Sequence, residues 1–159
     1  MTSKAAVGAT SGLVAGMVMG FWVMAVMAAF GTGMLAPLNI IAHLVVRDVP
    51  LDGAFDWTGL LVGGAVHLVL SVLFGALFGM ALRRRSGYRS LQGKALVIAG
   101  FLFGLPLWLV DRVLLWPLIN LAGARAFTPW VSFFGHVLYG SALGIGVWST
   151  IRTPTARLG

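Results

Sequence analysis

The chain has no cysteine. Disulfides, iron–sulfur clusters and thiolate metal sites are therefore excluded. Charge is nearly as scarce, at 9% of 159 residues against about a quarter in a soluble domain. Only four residues are acidic, namely Asp48, Asp52, Asp56 and Asp111. A chain so poor in charge cannot coat a water-facing surface, which excludes an ordinary soluble globular domain. Phosphate loops, HExxH and nucleophile elbows are also missing. No catalytic residue is assigned, and an enzyme is not the expected reading.

What the chain does have is apolar sequence, 59% of the total. It falls into four runs, roughly Gly12 to Leu35, Trp57 to Leu82, Ala95 to Leu115 and Pro129 to Ile151. Each reaches the roughly 20 residues that cross about 30 Å of hydrocarbon. Backbone groups in lipid must bond within their own segment, so each run is expected to be a helix. None shows the alternation of a transmembrane β-strand. The first run is too long for the apolar region of a signal peptide. The expected fold class is an all-α integral membrane protein: a single transmembrane domain, residues 1–159, forming a four-helix bundle.

The net charge of +7 does not form a face, so membrane orientation explains it better than nucleic acid. Lys4, Arg83, Arg84, Arg85, Arg89, Lys94, Arg152 and Arg157 fall on one side of a four-span chain. Only Arg47, Arg112 and Arg125 fall on the other, with all four acids. The expectation is cytoplasmic termini, a cytoplasmic loop at 83–94, and a multi-pass protein. Its Gly-, Ala- and Arg-rich style resembles that of bacterial inner-membrane four-helix families, and no diagnostic motif carries over a residue or an activity.

The two halves of the chain look alike. Gly16 and Gly20 precede Trp22, and Gly100 and Gly104 precede Trp108. Each pair is followed by a proline segment, Pro37-Leu38-Asn39 or Trp116-Pro117-Leu118-Ile119-Asn120. These segments read as short interfacial helices or as bent extensions of the preceding spans. Next come His67, Ser71 and Gly75 in one half, and His136, Gly140 and Gly144 in the other. The order suggests tandem two-helix repeats, about 12–82 and 95–151, around an axis along the membrane normal. Residues four apart share a helix face. Gly16/Gly20, Ser71/Gly75/Gly79, Gly100/Gly104 and Gly140/Gly144 are therefore candidate packing surfaces, for each other or for a partner subunit.

His67 and His136 lie within the second and fourth spans, about 10–15 Å from the far side. Intramembrane ionisable groups are functional candidates by default. Three readings are open: structural hydrogen bonding, ligation of a b-type haem between the two rings, and quinone, proton or metal handling. Asp111 and Arg112 adjoin each other near the end of the third span. An adjacent pair does not share a face, so Asp111 is expected to pair with Arg47 or Arg125 and Arg112 to snorkel. Met24 and Met27 share a face, and thioethers suit Cu(I) with His43 beyond them, although methionine is also a core filler. No metal ligand is assigned.

The leading functional expectation is a non-catalytic accessory or structural subunit of a larger membrane complex, possible respiratory or redox assemblies included. Its partners would be the lipid bilayer and other membrane subunits, without nucleic acid. The alternatives are a bis-histidine haem b electron-transfer protein and a small transporter or channel.

Overall fold

The computed structural model describes residues 4–83 and 93–152. Arg84, Arg85, Arg89, Arg157 and most of the expected cytoplasmic loop at 83–94 lie outside the described residues. The described residues are helical, without strands, and four helices are long and apolar enough to cross a membrane. They are α1 (Lys4–Ala29), α3 (Gly64–Arg83), α4 (Gly93–Leu109) and α7 (Pro129–Arg152). A π-helical turn, Gly59–Gly63, leads into α3. Another, Val110–Leu115, joins α4 to the short α5 (Trp116–Ile119). Two further short helices, α2 (Ala36–Ala42) and α6 (Leu121–Ala126), lie in the connections.

Local chemistry sets the helix ends. Helix α1 stops at Ala29, earlier than the apolar run suggests. Gly31 has a left-handed φ of +78°. The Thr32 N–H bonds Met27 O at 3.0 Å and the Gly31 N–H bonds Ala28 O at 3.1 Å. This is a Schellman ending, which consumes carbonyls the helix leaves unpaired. Asp56 caps the second span by accepting from the Gly59 N–H at 2.6 Å. Pro129 opens α7, where its missing N–H costs nothing.

The proline segments behave differently from one another. The first forms the separate helix α2, with Pro37 in its first turn. The second continues the third span to Ile119, and the break comes at Asn120 (φ −154°, ψ 85°). Asn120 then caps α6 by accepting from the Gly123 N–H at 3.1 Å.

Glycine fixes the packing. Along α1, Gly8 faces the Gly75 and Gly79 backbone, Gly12 faces Ser71 and Gly75, and Gly16 faces the Ser71 side chain. Along α4, Gly100 faces Gly140 and Gly144, and Gly104 faces His136 O. A Cβ at any of these places would meet its neighbour inside ordinary contact distance. Gly20 instead abuts the His67 ring, where a Cβ would stand 3.3 Å from Nε2. Helix α7 also packs along α1, with Gly146 against Ser11 and Gly135 against Met19 and Val23. Helices in lipid associate through such close contact, since hydrophobic exclusion does not operate between them.

These contacts make neighbouring helices antiparallel. The start of α1, the end of α3, the start of α4 and the end of α7 lie together at a basic end. The opposite, lid end carries α2, α5 and α6. No comparable backbone approach joins α3 to α4 among the described residues. They meet through side chains such as Phe78 and Phe103, whose rings lie 5.3 Å apart.

Candidate functional site

A cavity of about 100 Å³ lies in the lid half of the bundle, between α1, α3, α4 and α7. Its polar lining is His67, Ser71, Asp111, Arg112, Ser132, His136 and Tyr139. Ile41, Leu44, Trp116, Ala124 and Phe127 contribute from the connections and roof it. Toward the basic end it meets a packed apolar cluster that includes Ala15, Phe78, Leu82, Leu96, Leu143 and Val147. The cavity is therefore blind on that side.

The two histidines line one cavity but have different partners. His67 Nε2 lies 2.9 Å from Gly16 O. A carbonyl only accepts, so this nitrogen carries the proton. The contact requires glycine on α1, because the ring lies directly over Gly16 and Gly20. Ser71 Oγ–H returns to His67 O at 2.7 Å, and Tyr139 O–H donates to Ser71 O at 2.6 Å. The second bond ties α7 to α3.

His136 donates from Nδ1 to Ser132 O, one turn back, at 2.8 Å. Its Nε2 then points at Asp111 Oδ2, 3.6 Å away. Trp116 Nε1–H donates to the same oxygen at 3.1 Å. This corrects the expectation that Asp111 pairs with Arg47 or Arg125. Arg47 instead donates to Ile119 O at 2.8 Å, and Arg125 sits in the exposed last turn of α6. The reason is helical spacing: Asp111 stands seven residues, two turns, after Gly104, on the face that packs against α7 at His136. A π-helical turn carries Asp111 and Arg112, and such turns recur at functional sites. Pro106, one turn earlier, already removes an amide donor from this helix.

Arg112 adjoins the pair and lines the cavity. It has no hydrogen bond among the described residues; Asp111 is its electrostatic neighbour. The proton count of the site follows. With Nδ1–H fixed by Ser132, a bare Nε2 lone pair would face a carboxylate across 3.6 Å. One proton, on the ring or on the carboxyl, turns that repulsion into attraction. The arrangement can hold a single exchangeable proton between α4 and α7.

Two buried asparagines had not been singled out in the sequence. Asn120 Nδ2 donates to His43 Nδ1 at 2.7 Å and to His43 O at 3.1 Å. With Arg47 it locks the connection after α2 to the α5–α6 corner. Asn39, fully buried, donates to Asp52 O at 2.9 Å and Ala54 O at 2.8 Å. The signal was present: an asparagine two or three residues after each Pro in otherwise apolar sequence.

His43 Nδ1 is thus taken, and Met27 packs with Val23, Ala36 and Val131. Among the described residues no three His, Cys, Asp or Glu converge as a metal-binding set. No family model, curated protein or solved structure matches the chain.

Proposed function

We propose that this chain is a small multi-pass membrane protein with a ligand site of its own, in which ligand binding is linked to the proton held between Asp111 and His136. The observation that carries this reading is the 3.6 Å carboxylate–imidazole approach inside a lidded cavity. An ionisable pair in a low-dielectric span is costly unless something uses it. The basic end faces the cytoplasm in this reading, by the excess of lysine and arginine there, and the membrane is a bacterial inner membrane.

Other readings find less support. The positive case for an accessory subunit was its glycine faces. Gly8, Gly12, Gly16, Gly75, Gly79, Gly100, Gly104, Gly140 and Gly144 are all occupied within the chain. A through-channel is opposed by the apolar cluster closing the basic end. Haem b needs two free ring nitrogens facing one iron and space for a macrocycle. Here both Nε2 atoms are engaged. The cavity is also well below the roughly 300–1,000 Å³ of small-molecule pockets.

The tandem repeat belongs to the same proposal, with its register moved by one turn. Gly16 and Gly104 both face the histidine-bearing turn of their partners, and Gly12 and Gly100 the turn beyond. The matching pairs are therefore Gly12/Gly16 and Gly100/Gly104, with Gly20 at the place of Trp108.

Carbodiimide labelling tests the site. A carboxyl that shares a proton in an apolar cavity reacts with dicyclohexylcarbodiimide, which partitions into the bilayer. Mass spectrometry should find one label per chain, at Asp111, weakened in His136→Gln and lost in Asp111→Asn. Labelling confined to Asp48, Asp52 or Asp56 would refute the proposal.

A further inference from the structure

We infer that the cavity takes the carboxylate head of a membrane-dissolved monoanion, of the fatty-acid type, and that this ligand arrives from the bilayer between α3 and α4. The inference rests on the reading of the Asp111–His136 cavity as a ligand site. Three observations carry it.

The first is charge. Arg112 contributes +1, and the Asp111–His136 pair with its one proton contributes zero. With that proton in place the cavity is one negative charge short, and the guanidinium has no hydrogen-bond acceptor among the described residues. Its neighbour Asp111 is shared with His136 and Trp116, which leaves the planar fork of the guanidinium open. Guanidinium and carboxylate match as a planar two-bond pair. A neutral or cationic ligand would leave the imbalance in place.

The second is size. About 100 Å³ admits a head group of a few heavy atoms and excludes a fused ring system. A longer ligand must keep its remainder outside.

The third is the route. The lid is held shut by the Asn120–His43 and Arg47–Ile119 bonds, and the basic end is packed. Between α3 and α4 the backbones do not close on each other. Leu70 and Phe74 on α3, with Leu107 on α4, line the cavity along this seam, and Leu70 is 39% exposed. The Phe78–Phe103 contact forms the sill below. An acyl chain leaving through this seam would lie among lipid tails, beside apolar side chains. Its burial then costs nothing, and affinity comes from the head.

The test uses the full chain in phosphatidylcholine nanodiscs, with dodecanoate as probe, read by native mass spectrometry and thermal shift. Dodecanoate should bind one per chain and protect Asp111 from carbodiimide. Affinity should fall at least tenfold in Arg112→Gln and recover in part in Arg112→Lys. Leu70→Trp, which narrows the seam, should slow dodecanoate binding and leave the labelling of Asp111 without ligand intact. Acetate and dodecyltrimethylammonium are the controls. Acetate shares the head but does not concentrate in the bilayer, so at equal total concentration it should give far lower occupancy. Equal occupancy by acetate and dodecanoate would overturn the inference. Binding unchanged in a folded Arg112→Gln protein would overturn it too, as would equal binding of the ammonium probe. Asp111 labelling without dodecanoate binding refutes this inference alone. Loss of the labelling itself refutes the site.

Discussion

Replacing Gly100 by alanine puts the glycine contacts to a quantitative test. A Cβ at Gly100 would meet Gly140 O, Gly144 N at 2.9 Å and Gly140 C at 3.1 Å. All three are backbone atoms, so no rotamer change relieves the clash and α4 must move away from α7. Overpacking of this kind costs about 1–3 kcal/mol, and the rigid neighbours favour the upper part of that range. Alanine returns about 0.5–1 kcal/mol of helix preference over glycine. The net expectation is a loss of about 1–2 kcal/mol, near a tenfold change in the folded-to-unfolded ratio. Gly64→Ala is the matched control. It adds the same methyl to a helix where nothing lies within 4 Å, so only the helix preference remains and stability should rise by about 0.5–1 kcal/mol. Reversible denaturation in bicelles, moving from mild detergent to dodecyl sulfate and followed by tryptophan fluorescence, measures both. Opposite signs are expected. Equal shifts in the two variants would refute the reasoning that backbone contact, and not glycine content, sets the helix pairing. Gly100→Ala should also weaken carbodiimide labelling of Asp111, because separation of α4 from α7 parts Asp111 from His136.

Three further expectations concern single residues. Asn120→Ala removes the cap of α6 and the two bonds to His43, and should cost about 1–2 kcal/mol. Hydrogen exchange should then rise in residues 36–46, and an unchanged exchange pattern would count against a locked lid. Tyr139→Phe deletes the bond to Ser71 O and should cost about 0.5–1.5 kcal/mol by the same denaturation assay. If it proves neutral, the α3–α7 tie contributes nothing. Gly59→Ala drives a methyl into the Asn39 side chain. It should lower the unfolding midpoint more than Gly64→Ala raises it, and a higher midpoint would contradict the described packing.

The spans were legible because lipid permits so few backbone solutions, and three apolar runs matched their helices to within about a turn, while α1 begins and ends well before its run. The ends were harder. Gly31 and Gly33 were visible, but an apolar tail through Phe30, Met34 and Leu35 hid the stop that the left-handed φ at Gly31 imposes. The third span outlasted its apolar run because Pro117 falls in the first turn of α5, directly after the π-helical turn, where its missing N–H is tolerated. His67 and His136 could be read as sharing depth and an inward face, since spacing alone fixes both. Their partners could be read only in part. Gly16 O is a backbone group with no sequence signature. The Asp111–His136 pairing was half legible: seven residues after Gly104, Asp111 shares the glycine face that packs on α7. The register of α7 that brings His136 opposite it was not.

The missing backbone seam between α3 and α4 means that the protein does not complete its own enclosure. Three sides of the cavity are closed by tight helix contact, and the fourth by side chains alone, Leu70, Phe74 and Leu107, with lipid behind them. Acyl-chain length, unsaturation and the choice of detergent therefore act as constituents of the site. In the proposed reading, two preparations of the same chain in different amphiphiles would give this cavity two different walls.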